Sequence, residues 1–247
     1  MKIRTLAFIS TAVSLVAATS VQAAFITGVG DPSYDIDLTD FNLTSLGSSD
    51  WAYWDSATSA STNSKSGADL ISGVSIVGSG ALANSSSANA ALTFSFTDGV
   101  SPVSESALGS IGGVFSNNYD NTVAEGLQFS VTLPTTEVYE LRIWGGAFRS
   151  GEYDLTITMA GADPLTTSRT YSGNDLQTNY YTFQLQADSA DTDATISLLD
   201  LDFSTAVAGE GVRLYGVSLA TIPEPNAALA VGLFVVASVV MCRRKKC

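Results

Sequence analysis

Residues 153–159 read Tyr-Asp-Leu-Thr-Ile-Thr-Met, and this stretch decides the fold class of the chain. Tyr153, Leu155, Ile157 and Met159 alternate with polar side chains. Successive side chains of a β-strand point to opposite faces of a sheet. The alternation therefore predicts a strand with one face in a core and the other face in water.

The same period of two recurs along the chain, most clearly in 127–133 and 181–186. Further candidate strands lie at 34–38, 70–77, 91–96, 138–144, 194–199 and 212–219. In the last of these, the apolar parity changes across Tyr215 and Gly216, which predicts a β-bulge. Short strands separated by Gly, Asn, Asp and Ser predict an all-β fold, with residues 24–221 as a single antiparallel β-sandwich of the jelly-roll type.

Two stretches interrupt this pattern with Ser, Ala, Gly and Asn. They cover residues 56–67 and 78–89, and Lys65 is the only charged residue in either. Such composition is typical of surface loops or of low-complexity linkers. We expect loops here.

The chain begins with a segment typical of export. Cations that include Lys2 precede a mostly apolar run over 6–18, and Ala23 supplies the small residue that signal peptidases require. Residues 1–23 are therefore a predicted Sec signal peptide, cleaved between Ala23 and Ala24. Because residue 24 is not Cys, a lipoprotein signal is not expected.

The charge of the chain excludes one class of partner. The formal net charge is −13 at pH 7, and nearly all of the 24 acidic residues lie in the predicted sandwich. The basic residues between 24 and 222 are Lys65, Arg142, Arg149, Arg169 and Arg213. So acidic a surface repels nucleic acid, which is not an expected partner.

The chain has no His, and its cysteines are Cys242 and Cys247. Ser-His-Asp chemistry, Cys-His chemistry and the usual zinc sites are therefore excluded. An enzyme would need paired carboxylates, as glycoside hydrolases use. Acids available for such a pair include Glu125, Glu137, Glu140, Glu152 and Glu210. Abundance alone identifies no pair, so we predict no catalytic residue and no enzymatic activity.

Two groups of aspartates raise the question of a metal ion. The first is Asp31, Asp35, Asp37 and Asp40, and the second is Asp188, Asp191, Asp193, Asp200 and Asp202. Calcium prefers carboxylate and carbonyl oxygens from loops, so either group would suit a structural Ca²⁺. Neither has a complete EF-hand pattern, and a solvated acidic face is the alternative. No cofactor is predicted.

Aromatic residues raise the question of sugar binding. Trp51, Tyr53 and Trp54 lie close together, and Trp144 falls in a predicted strand. Aromatic faces stack on sugar rings, but in sandwiches large aromatics also fill the core. Trp51 and Trp54 have opposite parity, so we expect at most one of them on a given face.

The last 26 residues, 222–247, have the order of a membrane-sorting segment. Pro223, Glu224 and Pro225 precede an apolar run over 227–242, and the basic residues Arg243, Arg244, Lys245 and Lys246 follow. The run gives about 24 Å of helix, a narrow fit to a bilayer core of about 30 Å. We predict a transmembrane helix whose basic tail stays in the cytoplasm, so that the sandwich lies outside.

At these residues the chain resembles the PEP-CTERM sorting signal of Gram-negative bacteria. It departs from the usual pattern in having Ile222 where Val is common and in the lysines of its tail. The resemblance implies recognition of Pro223, Glu224 and Pro225 by an exosortase, cleavage near this triplet and transfer from the inner membrane to the cell surface or matrix. It also implies species that make exopolysaccharide.

A second resemblance concerns short pieces at 50–54, 96–99 and 141–146, which look like parts of jelly-roll modules common in exported bacterial proteins, some of which bind carbohydrate. The expected function is that of an exported structural or adhesive protein in an exopolysaccharide matrix or biofilm. The expected partners are the Sec translocon, an exosortase and extracellular polysaccharide. The alternatives are a glycan-binding module and, less expected, a secreted glycan-active enzyme.

Overall fold

Strands dominate the part of the chain that the structure describes. The structure is a computed structural model, and it describes residues 23–31, 33–34, 41–84, 92–108, 112–117, 124–148, 152–170, 178–201 and 211–223. In chain order the elements are β1 Phe25–Gly28, β2 Ser33–Tyr34, β3 Phe41–Asn42, α1 Leu43–Leu46, β4 Asp50–Tyr53, β5 Asn63–Ser64, β6 Ser75–Val77, β7 Ala81–Asn84, β8 Phe94–Phe96, β9 Glu105–Leu108, β10 Val114–Asn117, β11 Glu125–Leu133, β12 Tyr139–Phe148, β13 Glu152–Met159, β14 Leu165–Thr170, β15 Asn179–Gln186, β16 Thr192–Asp200 and β17 Gly211–Thr221. The predicted all-β class is confirmed for these residues.

The small sheet contains the stretch that decides the fold. Its strand order is β14-β13-β16-β11-β6, with every neighbouring pair antiparallel. On β13 the side chains of Tyr153, Leu155 and Ile157 are fully buried, and the side chains between them are more exposed. The alternation of period two thus gives one core face and one outer face, as predicted.

The large sheet faces the small sheet. Its main order is β1-β15-β12-β17-β10-β7, while β2 pairs with β15, β4 with β17, and β5 with β4. Buried side chains of both sheets form one hydrophobic core, such as Phe129 and Ile196 from the small sheet and Leu141 and Ile143 from the large sheet. The large and small sheets, both antiparallel, therefore pack face to face.

The predicted β-bulge lies in β17. Trp144 pairs with Gly216 and Gly145 pairs with Leu214, so that Tyr215 has no partner on β12. Both Leu214 and Val217 reach the core between the sheets. The extra residue restores the inward direction of the apolar side chains after the parity change.

A further layer covers part of the outer face of the large sheet. It consists of α1 and the cover sheet, in which β8 pairs in parallel with β3 and antiparallel with β9. Its aromatic side chains pack on those of the large sheet, and the buried cluster contains Leu43, Trp51, Tyr53, Leu92, Phe94, Phe96, Trp144 and Tyr215. The sequence pattern did not predict this layer.

Several predicted boundaries were wrong. The predicted loop 78–89 contains β7, which pairs with β10, and the predicted loop 56–67 contains β5. Backbone hydrogen bonds to a neighbouring strand form these edge strands, and their Ser-, Ala- and Asn-rich side chains give no apolar pattern. Conversely, the strands predicted at 70–77 and 91–96 are shorter in the structure. Their described strand residues are Ser75–Val77 and Phe94–Phe96. Residues 35–38 lie outside the described residues.

The first strand begins and the last strand ends at the same end of the large sheet. Phe25 pairs with Gln186, while Tyr139 pairs with both Leu185 and Thr221. We call this the terminus end of the sandwich. At the opposite end, β13 begins and β16 and β11 meet through Asp200.

Candidate functional site

A polar groove of about 290 Å³ lies on the outer face of the small sheet. The lining residues are Ser72, Gly73, Ser75, Gln128, Phe129, Ser130, Asp193 and Thr195. The ring of Phe129 belongs to the core, where it lies 6.4 Å from the ring of Trp54 between centroids. The side chains that remain to contact a ligand are hydroxyls, one amide and one carboxylate.

The floor of the groove comes from β11 and β16. Gln128 and Ser130 alternate with buried residues on β11, and Thr195 is the direct cross-strand neighbour of Ser130. Such neighbours hold their Cβ atoms roughly 4.5–5.5 Å apart. Since both strands are fixed within the sheet, the floor is a rigid array of polar groups.

One wall of the groove is the extended segment before β6. Ser72 N donates to Ser130 O at 2.9 Å, and Ser130 N donates to Ser72 Oγ at 2.8 Å. Thr132 N donates to Leu70 O at 2.8 Å. Hydrogen bonds to backbone and side-chain atoms therefore hold this segment alongside β11.

The buried carboxylate of Asp50 holds the same wall from the large sheet. Its Oδ2 accepts hydrogen bonds from Leu70 N at 2.8 Å and Ile71 N at 3.0 Å, and its Oδ1 accepts from Trp51 N at 2.7 Å. Burial raises the pKa of Asp50, and these three backbone donors only partly oppose the rise. Asp50 is a positioning residue for the groove.

The groove offers polar atoms that the fold has not consumed. Asp193 Oδ1 accepts a 2.6 Å bond from Thr132 Oγ1, and Ser75 Oγ donates to Gln128 O at 3.2 Å. The Gln128 amide and the Thr195 hydroxyl have no hydrogen-bond partner among the described residues. A primary amide and a hydroxyl both donate and accept, which suits a polyhydroxylated ligand.

The aromatic residues considered for sugar stacking lie in the core. Trp51, Trp54 and Trp144 are 0% exposed and Tyr53 is 3% exposed. Trp54 faces the core between the sheets, whereas Trp51 packs under the cover sheet, which confirms that they lie on different faces. These side chains stabilise the fold, and stacking on a sugar by them is contradicted.

The described aspartates do not come together in a metal site. Asp188, Asp191 and Asp193 are exposed at the terminus end, but Asp200 is buried at the other end of β16. Asp31 is exposed, and Asp35, Asp37, Asp40 and Asp202 lie outside the described residues. Within the described ranges, no three His, Cys, Asp or Glu residues are placed to hold a metal ion.

Glu125 and Asp200 are direct neighbours on β11 and β16, and both are buried at the end of the core. Glu125 Oε1 accepts bonds of 2.7 Å from the backbone and the hydroxyl of Ser79. Tyr153 lies on β13 and pairs with Asp200 of β16, and its hydroxyl oxygen is 2.8 Å from that of Tyr181. Burial raises the pKa of Tyr153 well above its ordinary value. These groups form a buried polar layer, and none of them lines the groove.

The remaining glutamates considered for catalysis are dispersed. Glu137 is exposed between β11 and β12, Glu140 pairs with Arg142, and Glu152 is half-buried at the start of β13. Glu210 lies outside the described residues. The absence of a catalytic residue stays a prediction.

The predicted processing points lie at the edges of the folded body. Ala23 is exposed, and Ala24 is half-buried against the core immediately before β1. Ile222 N donates to Val138 O at 2.8 Å, and Pro223, which follows, is exposed.

The remainder of the predicted sorting segment lies outside the described residues, and so do residues 1–22 of the predicted signal peptide. This applies to Glu224, Pro225, the apolar run 227–242, Arg243, Arg244, Lys245 and Lys246. In the part of the chain that the structure describes, no helix has the length and apolar character needed to span a membrane.

Sequence reasoning missed most of the groove. Ser72, Ser75, Gln128, Ser130 and Thr195 are ordinary outward residues of polar strands and loops, and no local signal distinguishes them. For Asp193 the sequence suggested a calcium ligand or part of a solvated acidic face, and neither interpretation placed it in a groove.

No protein-family model matches the chain, and no curated protein matches it significantly in sequence. Among solved structures, it is similar to the carbohydrate-binding module TmCBM61 in complex with β-1,4-galactotriose, at 13% identity and a TM-score of 0.35, over 60% of this chain and 88% of that one. It is also similar to the enzymatically active domain of bacteriophage CBA120 tailspike protein 4, at 12% identity and a TM-score of 0.35, over 62% of this chain. The match spans 20% of the tailspike chain. Both TM-scores are low, so the basis for a function is this chain's own residues.

Proposed function

We propose that this chain is an exported, non-catalytic β-sandwich protein, jelly-roll-like in fold, that is displayed at the cell surface and binds extracellular polysaccharide. The groove on the small sheet carries the binding part of this proposal. Its volume of about 290 Å³ is near the lower end of the range for small-molecule sites, roughly 300–1,000 Å³.

The chemistry of the groove suits sugar hydroxyl groups. Ser130 and Thr195 provide hydroxyls, Gln128 an amide and Asp193 a carboxylate, all on strands of one sheet. Each sugar hydroxyl both donates and accepts, so each of these groups is a match for it. The rigid floor reduces the entropy lost when a ligand binds.

Calorimetric titration of residues 24–222 with a panel of oligosaccharides tests this function. Gln128→Ala and Thr195→Val should each weaken binding about three- to tenfold, as expected for loss of one hydrogen bond. Thr166→Val is a matched control, because Thr166 lies on β14 and its hydroxyl contacts Thr156, outside the groove. If the groove variants bind as tightly as the parent domain, the groove is not the site. Release of shorter sugars from the bound oligosaccharide would contradict the non-catalytic role.

The edges of the sandwich support export and sorting. Ala24 packs at the start of β1, and the backbone bond of Ile222 directly precedes Pro223. Both proposed cleavages would therefore fall outside the hydrogen-bonded body. Proline has no backbone donor, so Pro223 is a suitable first residue of an extended segment for an exosortase to grip.

The intact mass of the surface protein tests the sorting proposal. We expect a product that begins at Ala24 and ends near Pro225, formed after translocation through Sec and anchoring in the inner membrane. In a strain without exosortase, the product should retain the C-terminal segment and stay in the membrane fraction. Full-length protein in the cytosol, with both ends intact, would contradict export.

A further inference from the structure

We infer that the groove takes a polysaccharide with free amino groups and rejects polymers that carry carboxylate or sulfate groups. This inference rests on the proposed polysaccharide binding and specifies its ligand class. It follows from the positions of the charges around the groove.

The basic side chains among the described residues form their contacts outside the groove. Lys65 forms an ion pair with Asp98, and Arg142 pairs with Glu140 and donates to Leu46 O at 2.8 Å. These two pairs lie outside the groove lining.

The described arginines at the opposite end of the sandwich do not reach the groove either. Arg213 is 3% exposed, with its guanidinium carbon 4.4 Å from the ring centroid of Phe115. Arg169 is half-buried on β14, and its Nε is enclosed. Neither residue lines the groove, so no described cation compensates an anionic sugar there.

The charged group among the described lining residues is the carboxylate of Asp193. Thr132 Oγ1 donates to its Oδ1 at 2.6 Å and orients the carboxylate beside the floor of the groove. Its Oδ2 accepts no hydrogen bond from a described residue. An ammonium group on a sugar ring would bind Oδ2, while hydroxyls of the same or the next ring bind Gln128 and Thr195.

Acidic residues near the groove strengthen the preference for a ligand with amino groups. Asp188 and Asp191 are exposed on the turn that directly precedes β16, and Asp193 lies at the start of that strand. The chain as a whole has a formal net charge of −13. An acidic field attracts a polycation and repels a polyanion, and salt screens both effects.

Three probes test the inference on residues 24–222: a glucosamine oligomer, its N-acetylated counterpart of equal length and a glucuronate oligomer. We expect the glucosamine oligomer to bind roughly fivefold more tightly than the acetylated one, as for one partly exposed ion pair, and the glucuronate oligomer not to bind. Added salt should reduce the preference.

Asp193→Asn keeps the shape and the acceptor for Thr132 but removes the charge. It should bring the glucosamine and acetylated oligomers to equal affinity, whereas Asp191→Asn, on the neighbouring turn, should leave most of the preference. Equal binding of both oligomers by the parent domain, or binding of glucuronate, overturns the inference and leaves polysaccharide binding intact. If no oligosaccharide binds, the proposed function fails as well.

Discussion

Trp51 Nε1 donates a hydrogen bond of 2.9 Å to Asp98 Oδ1, and this bond joins the large sheet to its cover sheet. The same Oδ1 accepts from Thr44 Oγ1 at 2.6 Å, and Oδ2 forms an ion pair with Lys65. One carboxylate thus connects β4, α1, the turn after β8 and the residue after β5.

Asp98→Ala should destabilise the domain by about 1–3 kcal/mol, because the indole N–H of Trp51 loses its acceptor in a buried cluster. Urea unfolding of residues 24–222, followed by tryptophan fluorescence, measures the change. Asp163→Ala is the control, since Asp163 is exposed in the turn after β13. It should change stability by less than about 0.5 kcal/mol. Equal effects of the two substitutions would contradict this role of Asp98.

The same carboxylate should make stability depend on acid pH. Burial alone raises the pKa of Asp98, but hydrogen bonds from Lys65, Thr44 and Trp51 and the charge of Lys65 outweigh burial, and the pKa falls below 3.8. The unfolded state then binds more protons between the two pKa values, so this contribution is full above the unfolded value and is lost as pH falls through the folded one.

Unfolding free energies from about pH 5 to about pH 2 should therefore fall more steeply for the parent domain than for Asp98→Asn. Burial raises the pKa of Asp50, so the contribution of Asp50 has the opposite sign. It is present in both proteins and cancels in their difference. Parallel pH profiles would show that Asp98 does not contribute in this way.

Gly216 should not tolerate a side chain. A Cβ added there would lie 2.8 Å from Cζ of Phe94, which is fully buried under the cover sheet. Gly216→Ala should destabilise the domain by about 1–3 kcal/mol through overpacking. Gly28→Ala is a matched control in a strand, because a Cβ at Gly28 would have nothing within 4 Å. Thermal melting of the two variants makes the comparison, and equal melting temperatures would count against the packing described here.

The phenol of Tyr215 should ionise at a higher pH than that of an exposed tyrosine. Its complete burial raises the pKa of the phenol to about 12, although the charge of Arg213 and a hydrogen bond with Thr178 act in the opposite direction. The neutral phenol is favoured in the folded state, so its contribution to stability is full below about pH 10 and is lost as pH rises towards the folded value. Spectrophotometric titration should show tyrosines that ionise near pH 10 only after unfolding in urea.

Tyr215→Phe should remove one of these late-ionising groups. Tyr153, whose pKa is also raised by burial, should remain as another. If the number of late-ionising tyrosines is the same in Tyr215→Phe and the parent domain, Tyr215 is not buried as described.

Strand class and face could be predicted because they depend on local geometry. The alternation at 153–159 is a property of neighbouring residues, and β13 has the predicted burial pattern. The parity change at Tyr215 likewise located the bulge. Edge strands β5 and β7 escaped prediction, since backbone pairing forms them and their side chains carry no periodic signal.

Proximity in sequence was a poor guide to the sites. Asp193 and Asp200 belong to one cluster of aspartates in the chain, yet an extended strand separates them by about 3.3 Å per residue and places them at opposite ends. The groove, by contrast, is formed by residues that are far apart in the sequence. Ser72, Gln128 and Asp193 come from distant segments and meet only through strand pairing.

The sequence by itself determined the β class and the faces of the strands, because side-chain alternation encodes both within a continuous stretch. It also predicts export segments at both ends from the order of charged and apolar residues. Only the tertiary structure decided that the tryptophans are buried, that a cover sheet lies over Trp144, and that polar side chains of β11 and β16 line a groove. These features depend on which segments pack together. A local pattern records the direction of a side chain, but not what lies opposite it.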